Sequence, residues 1–219
     1  MGIFDGTRMA AGMAGVAGFV NAVAYLGLHA FVAPMTGMVV QAGFDLAAQK
    51  WQGALLSLLA ITSFTGGVVV ARYIRRDERG PGLCWLLSGI TLAIAGLRPL
   101  DGLASLAPIA GALGCLNGSQ TRFGMVTLNT TFLTGNLERL GEAIGDRDMQ
   151  HRLAQVVCVA SIILAYLAGA TAGAAAERNL SAPLLLPAAA LALMGVVAQI
   201  RRQMGGTPMK SRLPTSTPL

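Results

Sequence analysis

The chain has 219 residues, of which 54% are hydrophobic and 12% charged, with a mean hydropathy of +0.61 and a formal charge of +6. Soluble domains carry about 25% charged residues, so this composition excludes an ordinary soluble domain and points to a membrane protein. The positive charge does not indicate a nucleic-acid partner: Lys and Arg lie between apolar runs and toward the C-terminal end, not in a continuous stripe with interleaved aromatics.

In chain order, charge-free apolar runs occupy Met9–Leu28, Trp51–Ala71, Pro81–Leu97, Gly102–Thr121, Leu153–Ala176 and Leu180–Ile200. Most reach the ~20 residues needed to cross ~30 Å of hydrocarbon, and Pro81–Leu97 sits at the short limit. Because backbone polar groups in lipid must be satisfied internally, each run is predicted to be a helix. Arg8 followed by an apolar run and Ala22-Val23-Ala24 resembles a signal peptide. Met9 to Leu28 is too long for that role, so a retained first helix is expected. Cys84, Cys115 and Cys158 each fall inside an apolar run without C-x-x-C spacing and read as small buried hydrophobes.

Two regions do not cross cleanly. Phe31 to Leu46 is apolar but closes on Asp45, and Phe123 to Gly145 begins Thr-rich and ends with Glu138, Arg139 and Glu142. Each carries a Thr-Gly pair after an apolar approach: Met35-Thr36-Gly37 in the first, Thr130-Thr131-Phe132-Leu133-Thr134-Gly135-Asn136 in the second. Threonine can cap a helix start and glycine allows close approach, so both are predicted as half-helices or re-entrant elements.

With six crossings and a cytoplasmic N-terminus, thirteen Lys and Arg fall on one side and three (Lys50, Arg98, Arg178) on the other; eight crossings would divide them ten to six. The positive-inside rule favours six, with both termini cytoplasmic. Gly18-Phe19-Val20-Asn21 matches Gly114-Cys115-Leu116-Asn117, and Thr36-Gly37 matches Thr134-Gly135. Two repeats follow, about 9–97 and 102–200, each with three crossings and one half-helix. An odd number of crossings turns the second copy upside down, a pattern of secondary transporters. Small residues in the first helix of each repeat (Gly12, Gly15 and Gly18; Ala110, Gly114 and Gly118) predict close helix packing. The expected organisation is one all-α, polytopic membrane domain over 1–200, with a disordered cytoplasmic tail over 201–219.

Ala17-Gly18-Phe19-Val20-Asn21-Ala22, Met35-Thr36-Gly37 and Thr131-Phe132-Leu133-Thr134-Gly135, followed by a charged helix, resemble the YoaK family (domain of unknown function 1275) across roughly residues 10 to 200. The resemblance implies a bacterial inner-membrane location and about six helices, with no assigned activity. The family usually shows Asp where Asn21 stands, Asn where Met38 stands and Gln where Leu116 stands. These departures remove polarity from the first half.

No Ser/His/Asp set, metal cluster or nucleotide loop is visible, so neither an enzyme nor a cofactor is expected. Two opposed half-helix N-termini would present backbone donors and partial positive charge to a solute near mid-membrane. The candidate substrate-binding residues are therefore Thr36, Gly37, Thr134, Gly135 and Asn136, with amide contacts from Asn21 and Asn117. The leading expectation is a small-solute transporter or permease, a polar or anionic substrate being favoured. The alternative is a non-transporting scaffold or lipid- or partner-binding protein. The lipid bilayer is the expected partner, and homo-oligomerisation is left open.

Overall fold

The structure is a computed structural model and describes residues 3–76, 80–100, 102–119, 133–145 and 149–205. Among these residues there are eight helices and no strand: α1 (Ile3–Leu28), α2 (Met35–Ala47), α3 (Trp51–Arg76), α4 (Pro81–Gly96), α5 (Gly102–Gly118), α6 (Leu133–Gly145), α7 (Met149–Asn179) and α8 (Leu185–Gly205). Each apolar run overlaps one helix, although residues 180–184 precede α8, and each Thr-Gly pair lies in the first turn of another. Among the described residues, three segments are long and apolar enough to cross a membrane: Thr7–Leu28, Trp51–Arg76 and Leu153–Asn179. The 16 residues of α4 extend about 24 Å, short of ~30 Å of hydrocarbon. The apolar parts of α5 and α8 are similarly short. The last helix continues through Gly205, and the rest of the expected tail lies outside the described residues.

The buried faces combine small residues such as Ala14, Ala17, Ala54, Ala60 and Ala71 with large ones such as Leu92, Leu113 and Leu116, while Leu55, Leu58, Leu164, Leu167 and Leu193 point outward. Lipid offers helices no hydrophobic drive to associate, so small residues that let backbones meet provide the packing.

The glycines show which helices meet and in what sense. A Cβ on Gly169 would overlap the carbonyl of Gly15, and one on Gly173 would overlap Phe19. Nearer the helix starts, Thr7 Oγ1 lies 3.3 Å from Cys158 Sγ. Contacts therefore advance together along α1 and α7, which run parallel. In the same way Gly111 and Gly114 meet Ser63, Phe64 and Gly67, and Gly118 meets Val68 and Ala71, so α5 runs parallel to α3. Gly82 meets Gly195, Gly89 meets Ala188, and Gly96 meets Leu184. Here one number rises as the other falls, so α4 and α8 are antiparallel. Gly12, by contrast, has open space around it, and its place in the small-residue pattern serves no contact.

The α4–α5 seam holds some of the buried polar side chains. Trp85 Nε1 donates to Ser119 Oγ at 3.0 Å, and Ser119 Oγ donates to Leu116 O at 2.6 Å. Ser88 Oγ donates to Ala112 O at 3.0 Å. Cys84 and Cys115 are buried free thiols in this seam, the second reaching Cys84 O at 3.7 Å.

Candidate functional site

The chain breaks after α1. His29 adopts φ 51°, a left-handed conformation that stops the helix, and the chain runs irregularly to Pro34 before α2 begins. Proline has no N–H to leave unpaired, which suits it to a helix start. It holds the cap position of α2, with no side-chain cap hydrogen bond. Thr36 is not a cap but the second residue of the helix, and Thr134 likewise lies inside α6, which begins at Leu133. The N–H groups of Gly37 and Met38 donate to Pro34 O at 3.0 and 3.4 Å, and that of Met35 donates to Ala33 O at 2.8 Å. Much of the donor capacity expected at this N-terminus is thus spent on the chain itself.

Asn21 is buried in α1 beside this break. Its Oδ1 accepts the Val32 N–H at 3.1 Å, and its Nδ2 donates to the Tyr166 hydroxyl of α7. One amide thereby fixes the connecting segment to α1 and α1 to α7. Asn117 is half-buried near the end of α5. Gly114 packs on Phe64 as Gly18 packs on Tyr166, so the residue at the place corresponding to Tyr166 carries no hydroxyl.

The remaining candidates do not converge. Thr36, Gly37 and Thr134 are exposed, Gly135 is half-buried and Asn136 is fully buried. The described residues of α2 pack along α3 and those of α6 along α7, without contact between α2 and α6. The expected meeting of two helix starts is therefore not formed by these residues, because each half-helix lies on the helix that follows it in its own half. Thr130, Thr131 and Phe132 lie outside the described residues.

What the break does create is a recess of about 420 Å³ between the end of α1, the segment after it, α2 and the start of α3. Gly37 reaches its wall, and Asp45 is its principal polar group. Only 8% of Asp45 is exposed, and Gln41, one helical turn earlier, donates to its Oδ2 at 3.1 Å. The carboxylate rests on Gly53, where a Cβ would come within 2.5 Å of Oδ2. Ser57 is buried on the same wall, and Tyr25 and Phe31 stack at 4.5 Å between centroids. No Lys or Arg lines the recess among the described residues.

A second recess, about 290 Å³, lies where α1, α4 and α7 end and α8 begins, with Arg98 and Glu177 in its wall. Glu177 Oε2 is buried there without a hydrogen-bond partner. Neither Asp45 nor Glu177 was selected as a binding residue by sequence. Asp45 read as the polar end of an apolar segment, although Gln41 and Asp45 at i and i+4 share a helix face. Among the described residues, no three His, Cys, Asp or Glu side chains gather as a metal site.

A family model described as "Protein of unknown function (DUF1275)" matches residues 9–198. None of the curated proteins and no solved structure matches the chain.

Proposed function

We propose, for a chain that belongs to the DUF1275 family of proteins of unknown function, that it is a small-solute permease of the bacterial inner membrane. It crosses six times as two inverted repeats with both termini cytoplasmic, and solute enters through the recess beside α2. The observation that carries this reading is that recess, where a broken helix borders a cavity containing a buried carboxylate. Polar groups buried in a membrane bundle are expensive and characteristically mark solute paths.

The helix directions support six crossings. If α2 and α6 also crossed, α4 and α8 would both run the same way through the membrane. Their glycine contacts instead require opposite directions, as six crossings do. The contact of α1 with α7 has its counterpart in that of α5 with α3, supporting repeat symmetry, and the antiparallel α4–α8 pair supports inversion. The short α4 and α8 fit if the bilayer thins locally or flanking residues reach out to its surface.

A polar solute is favoured over an anion. The anion preference depended on two open helix starts facing each other, whereas Asp45 gives the recess the opposite sign. The second reading, a non-transporting scaffold or partner-binding protein, draws on the separation of α2 from α6 and the close glycine packing of the helix pairs. Flux into proteoliposomes decides between them. The permease reading expects uptake of at least one small polar solute, reduced in Asp45→Asn and intact in Gly12→Ala. Absence of protein-dependent flux across a broad metabolite panel, with folded protein in the vesicles, supports the scaffold.

A further inference from the structure

We infer that the α1–α2–α3 recess binds a small organic cation through an ammonium group held by the Asp45 carboxylate and faced by the Tyr25–Phe31 pair. This rests on the permease reading for its physiological meaning, and names the solute class.

The carboxylate supplies the charge. Burial makes an isolated carboxylate costly; Gln41 donates to it, no Lys or Arg lines the recess, and His29 is the one basic side chain among the described lining residues. A cation entering the recess would complete the pairing. Glycine at position 53 matters because it lets the carboxylate lie against the α3 backbone, while Gln41 holds it from α2. The site is therefore shared between two helices.

The aromatic pair supplies selectivity. Tyr25 closes the last turns of α1, Phe31 follows the His29 turn, and their rings stack with an interplanar angle of 22°. Such faces attract ammonium groups, most strongly when these are weakly hydrated and methylated. Ser57 adds a hydroxyl able to accept an N–H from the bound group. A cavity of about 420 Å³ falls within the size of small-molecule sites and suits a compact solute better than a polymer.

The test is isothermal titration of the full chain in nanodiscs with tetramethylammonium and butylammonium. The controls are 1-butanol, sodium acetate and sodium chloride at matched ionic strength. Both ammonium probes are expected to bind. Asp45→Asn and Gly53→Ala should weaken them by about tenfold or more, the scale of a lost hydrogen bond to a charged group. Gly12→Ala should leave affinity unchanged. Tyr25→Leu should weaken tetramethylammonium more than butylammonium, and it decides the matter if the Asp45 variant does not fold. Equal affinity in wild type and these recess variants overturns the inference. So does 1-butanol or acetate binding as tightly as butylammonium, or sodium alone producing the same Asp45-dependent heat.

Flux separates this inference from the permease reading. Ammonium binding without transport leaves the recess standing and removes the permease. Transport of another solute without ammonium binding does the reverse.

Discussion

Asn21 occupies a position where a carbonyl oxygen and an amide nitrogen are needed at once, one for Val32 and one for Tyr166. Replacing it with Leu would leave a buried backbone N–H and a phenol without their partner, at a cost of about 1–3 kcal/mol for each group left unsatisfied. Thermal unfolding in detergent should show Asn21→Leu clearly destabilised. Asn21→Asp should lose less than Asn21→Leu, since a carboxylate accepts from both Val32 N–H and the Tyr166 hydroxyl, which offsets part of the cost of burying its charge. The glycines give a second prediction at this scale. Gly169→Val and Gly18→Val each drive a side chain into the backbone of the partner helix and should lose about 1–3 kcal/mol or more. Gly12→Ala faces open space and should be neutral or slightly stabilising, as Ala favours helix over Gly. Sequence spacing grouped Gly12 with Gly15 and Gly18; it could not say which face of α1 meets α7. Asn21 was recognisable as an unusual amide in an apolar helix, but its partner Tyr166 lies too far along the chain for local pattern to reveal.

Among the elements, the long apolar helices were the most legible, because uncharged length is itself the signal. The Thr-Gly segments were legible as helix starts, and their placement was not. Whether a short helix faces its counterpart or lies along a neighbour depends on tertiary contacts that periodicity does not encode. Here α2 follows α3 and α6 follows α7, so local likeness did not become convergence. Asp45 was hidden for a related reason: it becomes a recess-lining group only once Gly53 of the next helix is folded under it. The α4–α8 pair offers a direct check of helix sense. In a background lacking the native cysteines, Gly82→Cys with Ala198→Cys should cross-link, because a Cβ at 82 lies 3.0 Å from that of Ala198 and a shift of about 0.5 Å brings the pair into the disulfide range. A parallel pair would put these positions at opposite ends and give no cross-link.

At the level of the whole molecule, sidedness follows from the six-crossing reading. Arg76 at the end of α3 and Arg98 just beyond α4 would sit on opposite faces of the membrane. Cysteines placed singly at these positions should react with an impermeant maleimide from opposite sides, Arg98→Cys from the periplasm and Arg76→Cys only after permeabilisation. Labelling of both from one side would sink this arrangement. Charge distribution is what favours six crossings in the sequence, since most cationic residues gather where that count would put the cytoplasm.

The exchange of partners between halves also sets the order of assembly. The first helix lies against α7, whose residues follow more than a hundred positions later. At ~5–20 residues per second, a ribosome needs on the order of ten seconds to deliver that partner. During this interval α1 must wait with its glycine face turned to lipid or to the insertion machinery. Neither half, made alone, can supply the mate for its own leading helix, so the two should mature only when synthesised together, as one polypeptide or as two co-expressed fragments.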